Sequence, residues 1–172
     1  LDNGVKVAID VQLEGNTSGD QIDESYMTIT HKFGDIILGS ENSAMYKLHV
    51  APKSFGLGVN SGDNIDWMSF DGVGGDTGLF RGPFGSTYVE PNRVNDANRV
   101  TYLSHSISGF RIGASYVPDA VEDSNTLIDR ETSLHDGVTF GAQYKRRVGA
   151  FGFALSGGWG RMSLGDNVSG DD

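Results

Sequence analysis

The sequence predicts an all-β fold, an antiparallel transmembrane β-barrel, and three observations support that expectation. Apolar and polar residues alternate with period 2 in one segment after another. Gly is abundant at 25 residues while Pro is scarce at 4. No apolar run approaches the ~20 residues that a membrane helix requires. A membrane strand needs only ~9–11 residues and hides its apolar side by alternation, so a barrel is compatible with all three.

The first strand is Val5–Glu14, where Val5, Val7, Ile9, Val11 and Leu13 share one face and Lys6, Asp10, Gln12 and Glu14 the other. A helix would scatter both sets around its circumference. The second strand is Glu24–Phe33, with Met27 and Ile29 opposed to Tyr26, Thr28 and Thr30. A tight turn at Phe33–Gly34–Asp35 leads into the third, Ile36–Ser40. The fourth, Arg99–Ile107, turns at Ser108–Gly109 into the fifth, Phe110–Tyr116. In the sixth, Val138–Lys145, the residues Val138, Phe140, Ala142 and Tyr144 fall together. A turn at Arg147–Gly149 gives the seventh, Phe151–Trp159.

Short turns therefore alternate with long polar stretches at Gly15–Asp23, Glu41–Asn98, Pro118–Asp136 and Gly165–Asp172. All short turns fall at one end of the sheet and all long loops at the other, as in membrane barrels. Alternation alone also fits a soluble sheet whose apolar face fills a core. Two features favour lipid. Phe33, Phe110, Tyr144 and Phe151 form a girdle at the short-turn end, with Tyr102, Tyr116 and Trp159 expected towards the other. The opposite face, with Gly113, Ser115, Gly152, Ser156 and Gly158, is small and polar.

The net charge of −10 argues against a nucleic-acid partner, because phosphates would be repelled. Most of the acids lie in the predicted loops. With no cysteine there is no disulfide framework and no thiolate metal site. The chain opens at Leu1 without Met, charged n-region or apolar h-region, so a targeting peptide is expected to be missing or removed.

The run Asp23–Glu24–Ser25–Tyr26–Met27–Thr28–Ile29–Thr30–His31–Lys32–Phe33–Gly34–Asp35–Ile36–Ile37–Leu38–Gly39 resembles a porin pattern. It has an acidic pair, an alternating strand, an F-G turn and a strand ending in L-G. Asn98–Ser104 with Ser108–Tyr116 looks like the next porin hairpin, and Gly141–Ala142–Gln143–Tyr144 is similar to the one after. The resemblance is to Gram-negative general porins of the proteobacterial kind. It implies an outer-membrane barrel of about sixteen strands, usually a homotrimer. It also implies a long outer loop folded into the lumen as a constriction, and Glu41–Asn98 stands where that loop would be. Seven strands are too few for such a pore, and bacterial single-chain barrels have an even number. Asp2–Asn3–Gly4 reads as a turn after an earlier strand, and Asp171–Asp172 stops inside a loop. Residues 1–172 are thus expected to be a single barrel segment, incomplete at both ends.

Fixed charges select solutes where a lumen narrows, because low-dielectric walls strengthen the field there. The resemblance implies loop acids facing wall bases. The loop offers Asp63, Asp66, Asp71 and Asp76; the wall offers Lys6, Arg99 and Arg111, with His105 on the inner face by register. The expected activity is passive diffusion of small hydrophilic solutes and ions, with outer-membrane lipid as the surrounding partner. The alternative is a scaffold or adhesin barrel whose lumen is plugged by the long loop. A soluble ligand-binding β-domain fits the girdle and the loop asymmetry poorly.

No catalytic residue, metal or cofactor is expected. Asp71–Gly72–Val73–Gly74–Gly75–Asp76–Thr77–Gly78 offers oxygen ligands for calcium, but it lacks EF-hand spacing and the bidentate Glu, and reads better as turns. No Lys-Ser/Thr pair follows Gly72–Gly75 to make a phosphate loop. His31, His49, His105 and His135 have no ligand-pair spacing. Ser104–His105–Ser106 places its hydroxyls across the strand from the imidazole, which suits no triad. Trp67, Met68, Phe70, Leu79, Phe80 and Phe84 are expected to pack the long loop against the wall.

Overall fold

Among the described residues, seven strands pair in chain order into one antiparallel sheet, each with its sequence neighbour. The structure, a computed structural model, describes residues 4–13, 21–50, 97–120, 127–128, 130–131, 134–163 and 165. The strands are β1 (Lys6–Leu13), β2 (Ile22–His31), β3 (Gly34–Ser40), β4 (Asn98–Ser104), β5 (Phe110–Asp119), β6 (His135–Val148) and β7 (Phe151–Ser163). One short helix, α1 (Ala44–Leu48), follows β3.

The alternation sets the register, since a slip by one residue would turn every apolar side chain to the wrong face. Cross-strand partners share a face. The line Val7, Ile29, Ile36, Tyr102, Ala114, Phe140 and Trp159 therefore crosses all seven strands on one side. The adjacent line on the other side is Ala8, Thr28, Ile37, Thr101, Ser115, Thr139 and Gly160. The apolar face is the exposed one: Ile9 is 75% exposed, Leu155 64% and Trp159 56%, while Thr101 on the polar face is fully buried. A soluble sandwich would reverse those exposures.

The buried apolar residues are few and lie on the polar side. Ile37 and Leu103 meet Ala44 and Leu48 of α1, with Tyr26 packed against them; a second cluster joins Ala97 and Val117 with Ala120 and Met162. The first of these clusters is thus the contact between α1 and the sheet. This explains why Ile36–Ile37–Leu38 breaks alternation: Ile36 and Leu38 belong to the apolar face, while Ile37 lies under the helix.

Three short turns, at 32–33, 105–109 and 149–150, lie at one end of the sheet, and the strand ends that lead into 14–21, 41–97 and 120–134 lie at the other. The first is tighter than expected, over Lys32–Phe33, with Gly34 already in β3. Gly34 has φ +141, and a Cβ there would stand 2.2 Å from the Leu103 carbonyl oxygen. Only glycine suits such a position. β4 ends at Ser104 rather than running to Ile107. Ile107 and Phe110 exchange backbone hydrogen bonds around Ser108 (φ 52) and Gly109 (φ 93) instead.

Aromatics gather at the short-turn end. Phe110 and Tyr144 have ring centroids 4.3 Å apart, and Tyr144 and Phe153 5.7 Å. Tyr102, expected towards the loop end, belongs to this group, because its hydroxyl donates to the Phe33 carbonyl at 2.7 Å. β4 runs towards the turns, and Tyr102 sits in its last three residues. Tyr116 does lie at the loop end, where its hydroxyl donates to Asp136. Asp136 also accepts from Arg130, and that bond holds the Arg130 guanidinium above its ordinary pKa.

Candidate functional site

The helix α1 turns the chain that leaves β3 inward, onto the polar face. Ser43 caps it, its hydroxyl accepting from the Tyr46 amide at 3.3 Å, and the His49 amide closes the other end on the Tyr46 carbonyl at 3.1 Å. A five-residue helix is too short to persist on its own account. Its stability comes from the wall of β5–β7.

Helix ends leave backbone donors and acceptors without intrahelical partners, and here wall side chains supply them. The Ala44 amide donates to Ser115 Oγ at 2.7 Å, and Gln143 Nε2 donates to the Leu48 carbonyl at 2.8 Å. Just beyond, the Val50 amide donates to Ser156 Oγ at 2.7 Å. Ser115 Oγ in turn shares a proton with Thr101 Oγ1 at 2.7 Å. Between these anchors Gly113, Gly141 and Gly158 are direct cross-strand partners, forming a row without side chains. A Cβ on Gly141 would lie 2.8 Å from the Ala44 carbonyl oxygen and 2.9 Å from Met45 Cα. The helix backbone therefore rests directly on the sheet.

Beside α1, at the loop end, is a cluster of charge. Glu24 and Glu41 are both buried, and the Asn42 side chain donates to Glu24 at 2.9 Å while its backbone amide donates to Glu41 at 2.9 Å. Gln12 donates to the other oxygen of Glu24. Lys47 pairs with Glu41 and stands 5.8 Å from the centroid of the Tyr26 ring. Two carboxylates thus face one ammonium on the polar side of the sheet, an arrangement that favours cations.

The four wall residues expected to carry function are spread over the polar face. Lys6 is exposed on β1 opposite Thr30. Arg111 pairs with Gln143 and donates from Nε to the Ser104 carbonyl at 3.1 Å. His105 lies just past β4, exposed, with Nε2 2.7 Å from the His31 carbonyl. These three sit near the short turns. Arg99 is buried at the loop end opposite Gly39, and its Nε donates to the Ala97 carbonyl at 3.2 Å. Asp63, Asp66, Asp71 and Asp76, the Asp71–Gly78 segment, and Trp67, Met68, Phe70, Leu79, Phe80 and Phe84 lie outside the described residues.

Sequence reasoning missed α1 and its anchors. The signal was present in Ser43 followed by Ala-Met-Tyr-Lys-Leu, a capping residue before good helix formers. The glycines and serines of the polar face were legible as small, but not as a seat for a helix.

A family described as Gram-negative porin matches residues 1–172. No curated protein and no solved structure matches the chain.

Proposed function

The chain belongs to the Gram-negative porin family, and from that premise we propose a passive diffusion channel for small hydrophilic solutes and ions, assembled as a homotrimer. Membership makes it an outer-membrane protein of a channel-forming family, and lipid the medium of the exposed apolar face. The observation that supports the finer reading is α1, which takes the chain after β3 inward across the polar face and is hydrogen-bonded there by Ser115, Gln143 and Ser156. A segment held on that face narrows the space that the sheet encloses. The residues that continue it carry Asp63, Asp66, Asp71 and Asp76 to the constriction, facing the wall's basic residues: Lys6, Arg111 and His105 towards the short turns and Arg99 towards the loop end. Hydrated cations then pass more readily than anions, and neutral solutes divide by size.

Planar-bilayer recording tests this reading. Steady conductance with cation preference is expected, and Asn variants of the four aspartates are expected to lower that preference. A protein that inserts but passes no current refutes the channel; unchanged selectivity in all four variants refutes the role of the aspartates. The mass of the detergent-extracted complex tests the trimer.

A further inference from the structure

The apolar face is not uniform across β5–β7. Tyr102, Phe140 and Trp159 wall a groove of about 510 Å³ whose floor is Ala114, Ala142 and Gly157. Nothing lies within 4 Å of a Cβ built on Gly157, so that floor opens outward. Following β6 and β7 from the groove towards the short turn, the next outward pair is Tyr144 with Leu155, and the next is Arg146 with Phe153. Arg146 therefore lies on the lipid side, four residues and about 13 Å along the strand from Ala142. That separation fits within one leaflet, half of a ~30 Å hydrocarbon core.

The charge near this groove is unlike that of the rest of the chain. The protein carries a net charge of −10, yet residues 137–165 contain Lys145, Arg146, Arg147 and Arg161 and no Asp or Glu. Lys145, Arg146 and Arg147 line a second depression with Gly152, Phe153 and Ala154. Among the described residues none of these three cations forms an ion pair, and Arg146 donates only a long 3.4 Å hydrogen bond to the Tyr144 hydroxyl. The hairpin tip that carries them is exposed on both faces, because past the Lys145 amide, which donates to the Gly109 carbonyl at 2.9 Å, β6 pairs with β7 alone. Long basic side chains there can reach a headgroup plane while their stems stay against apolar surface.

We propose that the outer face of β5–β7 is a binding site for one anionic phospholipid of the short-turn leaflet. Arg146 takes the phosphate, Lys145 and Arg147 on the opposite face of the exposed tip add positive potential, and an acyl chain lies past Tyr144 and Leu155 into the groove beside Trp159. The inference rests on the membrane reading of the apolar face and adds a lipid class and an address to it. A phosphate is the group that an arginine flanked by further cations recognises. The aromatic rings around it hold the depth of the headgroup.

The test uses the protein with Trp67→Phe, which leaves Trp159 as the one tryptophan reporter among residues 1–172. The protein is reconstituted in vesicles of phosphatidylcholine containing either phosphatidylglycerol or phosphatidylcholine brominated on the acyl chains, and Trp159 quenching is titrated. Brominated phosphatidylglycerol is expected to quench with about tenfold higher apparent affinity, from basic residues near an anionic headgroup. R146Q, and more fully the triple variant with Lys145→Gln and Arg147→Gln, should erase that preference. Gly157→Leu, which fills open space, should weaken quenching by both lipids while the charges remain. Equal quenching by the two lipids overturns the proposal, as does a preference that survives the triple variant. Absence of quenching in a protein that floats with the vesicles also overturns it, in favour of a second copy of the chain covering the groove. A chain that does not float with vesicles overturns the membrane reading as well.

Discussion

Replacing Gly141 by alanine should do more harm than the same change at Gly158, although the raw clearances suggest the opposite. The nearest atom to a Cβ on Gly158 is Met45 Cγ at 2.2 Å, against 2.8 Å to the Ala44 carbonyl oxygen for Gly141. Rotation of the Met45 side chain removes the first clash; the nearest backbone atom is the Phe140 carbonyl oxygen, at 3.1 Å. Gly141 meets Ala44 and Met45 backbone, which cannot rotate away. Restoring ordinary contact at ~3.5 Å requires α1 to lift by ~0.7 Å. Hydrogen bonds of 2.7–2.8 Å to Ser115, Gln143 and Ser156 would then stretch to about 3.5 Å, where they cease to count. At ~1 kcal/mol net for each of the three, G141A costs about 2–3 kcal/mol of docking free energy. That falls in the ~1–3 kcal/mol range of overpacked cores, and G158A should cost under ~1 kcal/mol. Single-channel recording checks the ranking. G141A should show a second, larger and noisier conductance level as the segment leaves the wall, and G158A should not. Identical traces, or a larger effect of G158A, would refute the claim that the helix backbone rests on the glycine row.

Two further outcomes follow from the same geometry. Because the chain has no cysteine, the pair Met45→Cys with Gly158→Cys should form one disulfide on mild oxidation, seen as a mobility shift on non-reducing gels, and should suppress conductance fluctuations; failure to cross-link would displace α1 from β7. Adjacent residues of β7 should respond oppositely to charge. Leu155→Arg faces lipid close to the headgroup level and should cost about 1 kcal/mol in unfolding from lipid vesicles, whereas Ala154→Arg on the polar face should cost less. Equal costs would mean that the apolar face is not in the membrane.

The sheet was legible because its signal is local. Val7, Ile9, Val11 and their partners repeat the alternation that lipid on one face demands, and seven strands appear where the alternation places them. The strand ends were less legible, for identifiable reasons. Pro118 and the triple cation at Lys145–Arg147 look like the ends of strands, yet β5 runs to Asp119 and β6 to Val148. Val117 and Asp119 pair across β6 where Asp136, at φ 49, begins a register shift against β7, and Lys145–Arg147 extend a hairpin tip clear of β5. The helix on the wall was illegible because its stability is non-local: Ser115 and Gln143 lie 71 and 95 residues from the backbone groups they satisfy. The charge cluster of Glu24, Glu41 and Lys47 was hidden similarly, since only the inward course of the chain after β3 brings Glu41 and Lys47 to a β2 residue.

The glycines and alanines of β5–β7 meet two requirements at once. Gly113, Gly141 and Gly158 face the helix, and their chain neighbours Ala114, Ala142 and Gly157 floor the outer groove. The wall is therefore thin over three neighbouring strands, with almost no side chain on either side. One small face would suffice to seat α1; an outer face built only to meet disordered lipid gains nothing from being hollow, since bulky apolar residues such as Ile9 and Leu155 serve elsewhere on it. A groove with aromatic walls and an outward arginine two outward positions beyond it, towards the short turn, is shaped for a defined occupant. Successive side chains of a strand project to opposite faces, so the two uses are separable. Gly157→Leu should alter lipid contact and leave the helix seated, while Gly141→Ala should unseat the helix and leave the lipid groove as it is. If either change disturbed both faces, the thin wall would be acting as one mechanical unit, and the lipid outside would be coupled to the segment inside.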